Sequence, residues 1–136
     1  MSNQSHEKVI IIGAGAAGLT AGIYTARANM SPVILAGLQP GGQMTITTDV
    51  ENYPGFAEVI QGPWLMQEMQ SQAEHVGARV IYDIVTTVDA SKHPFVLTLD
   101  SGGRMTADAL IVATGAQARW LGLETETAFN GRGVSA

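Results

Sequence analysis

The residues of this chain best suited to act together chemically are Gly13, Ala14, Gly15, Ala16, Ala17 and Gly18, a G-x-G-x-x-G run. In such a run the first glycine permits a tight turn, the second lets backbone approach a pyrophosphate, and the third lets a helix pack closely on a strand. Backbone N–H groups at the start of the helix then face the phosphate charge. The chemistry requires a strand before the run and a helix after it; otherwise the same glycines make a packing turn with no ligand.

Those elements are legible. Val9-Ile10-Ile11-Ile12 is a continuous apolar run of the kind buried on both faces of a parallel sheet. From Ala16 the pattern becomes helical, with Leu19, Ile23 and Ala26 on one stripe. A stop is expected between Asn29 and Pro32, because Pro32 restricts Ser31 to extended conformations. Val33-Ile34-Leu35 then reads as a second buried strand, which completes a β-α-β unit with a right-handed crossover.

The end of that second strand bears on which dinucleotide is bound. An NAD site commonly places Asp or Glu there, about 20 residues beyond the glycines, and an NADP site a nearby Arg. Leu35-Ala36-Gly37-Leu38-Gln39 offers neither, which weakens a nicotinamide reading. Pro40-Gly41-Gly42-Gln43 instead supplies a second glycine turn through which backbone amides can approach a ligand.

Residues 36–62 hold too many glycines and prolines for a long element, and so long a loop in a compact domain is usually functional. Pro63 is placed to open a helix with Leu65, Met69, Ala73 and Val76 as its buried stripe and Gly77 at its end. Its methionines read as core. Arg79 to Asp89 is strand-like. Phe95 to Leu99 alternates, and Asp100-Ser101-Gly102-Gly103 turns a hairpin that resumes near Arg104. Ala109 to Ala113 is a further apolar strand, closed by Thr114-Gly115, after which the chain reads as a connector.

Composition narrows the function classes. With 136 residues, one core is expected, and 46% hydrophobic with only 14% charged residues excludes disorder. The formal charge is −5 and the basic residues are scattered, so no nucleic-acid or anionic-membrane footprint is present. There is no cysteine, hence no disulfide, thiolate metal site or thiol nucleophile. His6, His75 and His93 lie far apart and do not make a metal site. Met1 to Lys8 is polar and lacks a signal-peptide pattern, so a cytoplasmic location without membrane insertion is expected. The uncharged run Val9 to Ala26 is better explained as strand then helix than as a membrane span. Asp49 and Glu51 read as solvated carboxylates rather than an acid/base pair, Ser135 lacks a nucleophile's frame, and Arg119-Trp120 reads as a ligand edge, a partner surface or interfacial packing.

The sequence resembles the bacterial-type, low-molecular-weight thioredoxin reductases through essentially its whole length. The resemblance is carried by Ile12 to Gly18, Ala36-Gly37-Leu38-Gln39-Pro40-Gly41-Gly42-Gln43 and Val50-Glu51-Asn52-Tyr53-Pro54-Gly55. Ala113-Thr114-Gly115-Ala116, Leu121-Gly122-Leu123 and Gly131-Arg132-Gly133-Val134-Ser135-Ala136 continue it. It implies an α/β fold, a Rossmann-like FAD-binding domain of parallel sheet, helices and a small β hairpin element. FAD rather than NAD would lie at Gly13 to Gly18, with Ala36, Gly37, Gly41, Gly42 and Gln43 around the adenosine and phosphates. Thr47 and Asn52 would lie near the isoalloxazine, Ile84 and Val85 along the adenine, and Ala113, Thr114 and Gly115 would close on the cofactor. An amide such as Asn52 can match both donor and acceptor on a flavin edge, while an Asx-turn ahead of Pro54 is the alternative.

In this family the G-R-G-V-S-A segment leads into a C-x-x-C pair, and here the chain ends at Ala136. The expectation is therefore the N-terminal segment of an FAD-binding domain (1–115) and a connector (116–136) toward an NADPH-binding domain. The implied parent activity is NADPH-dependent reduction of thioredoxin, by a homodimer, with no catalytic residue in this part. The alternatives are the reductase component of an alkyl hydroperoxide system, a thioredoxin-reductase-like ferredoxin reductase, or a non-enzymatic nucleotide-binding module.

Overall fold

A computed structural model describes residues 4–135; Met1 to Asn3 of the polar start, and Ala136 of the G-R-G-V-S-A segment, lie outside the described residues. The order is β1 (Gln4–Ile12), α1 (Ala16–Arg27), β2 (Val33–Leu35), β3 (Asp49–Val50), β4 (Ile60–Gln61), α2 (Gly62–His75), β5 (Arg79–Ile81), β6 (Val85–Asp89), β7 (Phe95–Leu99), β8 (Arg104–Val112) and α3 (Glu124–Phe129). The main sheet runs β5-β2-β1-β8-β7-β6, parallel from β5 to β8 and antiparallel from β8 to β6.

Alternation along the apolar strands explains why both faces are covered. Val9 and Ile11 of β1, with Ile34 of β2, join a core with Leu19 and Ile23 of α1 and Leu65, Met66, Met69 and Ala73 of α2. Ile10, Val33 and Leu35 point the other way, into a core with Leu97 and Leu99 of β7 and Met105 and Ala107 of β8. Continuous apolar strands are what such a two-sided burial requires.

The strand expected over Arg79 to Asp89 is instead two strands, β5 and β6, at opposite ends of the sheet order. Five strand spacings would separate them by about 24 Å in a flat sheet. The link Tyr82–Ile84 allows at most about 15 Å between Ile81 and Val85. The sheet must therefore curl, and the β6–β7 arm folds over the face opposite the helices, which is why Leu97 reaches β1 and β2.

Other elements differ in detail. β1 begins earlier than the apolar run because its polar half pairs in parallel with Arg104 to Ala107, where His6 Nδ1 and Thr106 Oγ1 lie 2.9 Å apart. Ser31 has φ 47° rather than the extended form expected before Pro32; its carbonyl accepts a 3.1 Å bond from Arg79, which also pairs with Glu7. The 36–62 loop holds a 3-10 turn, Gly42–Ile46, and the two-residue ladder β3–β4. α2 begins at Gly62, one residue before Pro63, and buries Met66 along with Leu65, Met69 and Ala73, while Val76 is half-buried.

The apolar Ala109 to Val112 stretch is the second half of β8, continuous with the hairpin strand rather than separate from it. Val112 is 71% exposed, because β7 leaves β8 at Ala107 and, among the described residues, no strand pairs beyond that point on the outer edge. The expected connector contains α3, whose Glu126 carboxylate accepts N–H bonds from Leu121, Gly122 and Leu123 at 2.8, 2.7 and 3.0 Å. Among the described residues no helix is long and apolar enough to cross a membrane.

Candidate nucleotide-binding cleft

The C-terminal ends of β1, β2 and β8 open into a cleft of about 520 Å³, the place where open parallel sheets hold ligands. Its floor is Gly13 to Ala17 at the start of α1. One wall is Ala36 and Gly37 with Ile84 and Val85, another is the Gly41-Gly42-Gln43 turn, and Ala113, Thr114 and Gly115 form the side next to β8. The fold thus brings fifteen of the eighteen expected residues together. Ile12, Leu35, Leu38, Gln39, Met44, Ala116 and Gln117 also line it, and each adjoins an expected segment, so simple extension of those segments would have found them.

Three expected residues do not line the cleft. Gly18, in the first turn of α1, is buried against the backbone of the glycine loop. Thr47 donates its hydroxyl to the Gln43 carbonyl at 3.1 Å, and Asn52 is exposed in the loop after β3.

The three glycines of the motif meet different surroundings. A Cβ on Gly13 would stand 2.2 Å from the Ala113 carbonyl oxygen, at φ 111°. One on Gly18 would stand 1.9 Å from the Gly13 carbonyl oxygen. Neither position admits a side chain. A Cβ on Gly15 would meet nothing within 4 Å, and its φ of −75° suits any residue. Gly15 is therefore open because it faces the cleft, whereas its neighbours are closed by packing.

The Gly41-Gly42 turn takes φ 84° and 62°, a conformation that favours glycine at both places. It is latched to the glycine loop by the Gly41 N–H on the Ala14 carbonyl at 3.0 Å, and Gln39 Nε2 donates to the Gly42 carbonyl at 3.2 Å. A Cβ on Gly42 would lie 3.4 Å from Gly15 Cα, so the two glycines face each other across a narrow gap.

No residue lining the cleft carries a charge. α1 has no side-chain cap and no acidic residue in its first turn, which leaves its N-terminal N–H groups and the positive end of its dipole to whatever enters. Asp83 sits just behind the wall. Hydrogen bonds from the Ser101 hydroxyl, then from the Ile84 and Ser101 N–H groups, hold its carboxyl below the usual range despite some burial. Asp49 accepts a 2.8 Å bond from Gln61 and forms no pair with Glu51. No cluster of metal-ligating side chains occurs among the described residues.

A parallel sheet covered by helices on one face and a β arm on the other, with a glycine loop at its carboxyl edge, defines a dinucleotide-type binding domain. The family model for pyridine nucleotide-disulphide oxidoreductases matches residues 7–136, and the chain belongs to that family. Within it the chain is 57% identical over 129 residues to the thioredoxin reductase of Rickettsia bellii, covering 95% of this chain and 42% of that protein. It is 54% identical over 136 residues to the thioredoxin reductase of Vibrio cholerae, covering all of this chain and 42% of that one. The solved thioredoxin reductase from Giardia duodenalis superposes with a TM-score of 0.82 at 46% identity, over 93% of this chain and 41% of its own. The chain thus spans about two fifths of the length of these relatives. Their names favour the thioredoxin reductase resemblance over the hydroperoxide-system, ferredoxin and non-enzymatic alternatives.

Proposed function

We propose that this chain is the FAD-binding part of an NADPH-dependent thioredoxin-disulfide reductase. The observation that carries the reading is Gly15, a motif glycine where a Cβ would meet nothing within 4 Å and which opens into an uncharged cleft. When bound, FAD supplies relay of an electron pair from a nicotinamide to a disulfide. The chain's own residues hold it. The first-turn N–H groups of α1 and the Gly15–Gly42 gap suit a diphosphate, which needs donors and close backbone approach. Ile84 and Val85, on the same wall as Ala36 and Gly37, offer an apolar surface to a purine. Ala113, Thr114 and Gly115 bound the side next to β8. Thr47 and Asn52 are assigned to the flavin end on the resemblance alone.

The chain has no cysteine, so the group that exchanges with the thioredoxin disulfide, and the NADPH site, belong to the further length that the relatives possess. A division into 1–115 and a connecting 116–136 fits the irregular backbone over 113–123, between β8 and α3. The homodimeric state and cytoplasmic location rest on the resemblance.

Titration of the chain with FAD and with NADPH tests the reading. FAD is expected to bind, NADPH not to, and Gly15→Val to abolish FAD binding while leaving the far-UV circular dichroism unchanged. Preference for NADPH, or full FAD affinity in Gly15→Val, would overturn it.

A further inference from the structure

We propose that Asp83 is a positioning residue that sets the Ile84–Val85 wall of the cleft by tying three separate elements to one carboxylate and its peptide. The inference rests on the nucleotide reading above.

The geometry follows from the three-residue link between β5 and β6. Tyr82–Ile84 is the chain's crossing from the helix-covered part of the sheet to the arm folded over its other face, so its conformation fixes where β6 begins. The Asp83 carbonyl accepts the Gly37 N–H at 3.1 Å, which joins the link to the end of β2. Its Oδ1 accepts the Ile84 N–H at 2.8 Å, and Oδ2 accepts the Ser101 hydroxyl at 2.6 Å, which joins it to the β7–β8 turn. The Asp100 N–H donates to the Ile84 carbonyl at 2.9 Å and closes the bracket. Gly37 and Ile84, on the same wall, both line the cleft, and Asp83 bonds to each without lining it. Asp83 is half-buried as a residue, and the bonds from Ser101 and Ile84 hold its carboxyl below the usual carboxylate range, so it serves these donors as an ionised acceptor.

Four proteins are compared: wild type, Asp83→Ala, Asp83→Asn and Ser101→Ala. Each is titrated with FAD, ADP and FMN, and amide hydrogen exchange is followed at Gly37, Ile84 and Ser101. Asp83→Ala is expected to weaken FAD and ADP in parallel, by about tenfold or more given the worth of hydrogen bonds to a charged group, and to leave FMN unchanged. Exchange should speed up at all three amides. Asp83→Asn keeps an acceptor for Ile84 N–H, and Ser101 can turn to accept from Nδ2, so affinity should recover to within about threefold of wild type. Ser101→Ala removes one bond only and serves if Asp83→Ala fails to fold; it should show the same FAD and ADP loss in smaller measure. Equal loss of FMN and ADP, no rescue by Asn, or unchanged FAD affinity in both Asp83→Ala and Ser101→Ala would overturn the positioning role. A wild type that binds no nucleotide would overturn the cofactor reading, and the role with it, whereas faster exchange alone would leave Asp83 a structural tie.

Discussion

The β1–α1–β2 unit and the stretch from Ala109 to Phe129 are both rich in apolar residues, yet they sit very differently. Ile10, Ile11, Val33 and Ile34 are wholly buried, whereas Val112, Leu121, Leu123 and Phe129 are each more than half exposed. The strands in question have similar composition. What separates them is whether a covering layer lies on each face: α1 and α2 on one side of β1 and β2, the β6–β7 arm on the other, and among the described residues nothing beside the outer edge of β8 past Ala107. Hydrophobic patterning specifies an element, and neighbours decide its burial.

The sharpest way to break the first region is to fill its closed glycines. Gly18→Ala is expected to destabilise by about 3 kcal/mol or more, since a Cβ would overlap backbone that no rotamer can move aside. Gly15→Ala, three residues away, should shift stability by no more than about 0.5 kcal/mol. A urea melt of both variants checks the pair, and similar midpoints would dissolve the distinction between packing and ligand-facing glycines. Next in size, Leu19→Ala should lose about 2–5 kcal/mol because Leu19 lies in the core, whereas Phe129→Ala, on a half-exposed ring, should stay within about 0.5 kcal/mol. Comparable losses would mean that the second region is packed more firmly than its exposure suggests.

A smaller effect sharpens the comparison within the second region. Bonds from Leu121, then Leu123 and Gly122 N–H groups, hold the Glu126 carboxyl below the usual carboxylate range. Because the folded value is depressed, the support Glu126 gives to α3 is present above the unfolded pKa and is lost as pH falls through the folded value. Protection factors at Leu121 to Leu123, taken relative to the intrinsic exchange rate at each pH, should therefore fall on going from about pH 7 to about pH 3, and Glu126→Gln should blunt the dependence. No change in the wild type would mean that the three bonds do not form in solution. Last, the chain alone should show no NADPH-dependent reduction of a disulfide dye, having no cysteine to exchange. Turnover above a protein-free control would place the chemistry elsewhere than proposed.

The glycine loop, α1 and β2 were legible because each rests on local rules: period, breaker residues and a buried apolar run. The cleft followed from them, since fifteen expected residues converge once the strands are parallel. The split of Arg79–Asp89 was not legible, because Tyr82–Ile84 carries no glycine or proline and its break is imposed by contacts with Gly37 and Ser101. The polar half of β1 was hidden for a related reason: Ser5 to Glu7 are strand residues only because Met105 to Ala107 pair with them. α3 escaped notice since its helix start depends on Glu126 reaching back to three amides rather than on an apolar stripe.

The β1–β8 ladder also has a consequence in time. Gln4 pairs with Arg104 and Ile12 with Val112, so the central strand waits for a partner that lies a hundred residues downstream. At synthesis rates of about 5–20 residues per second, one edge of this strand stays open for roughly 5–20 s on the ribosome. For most of that interval β2 and α1 are already made and can cover part of it, but the β8 side cannot close. Partial chains stalled before Arg104 are then the forms most exposed to mispairing and to capture by chaperones.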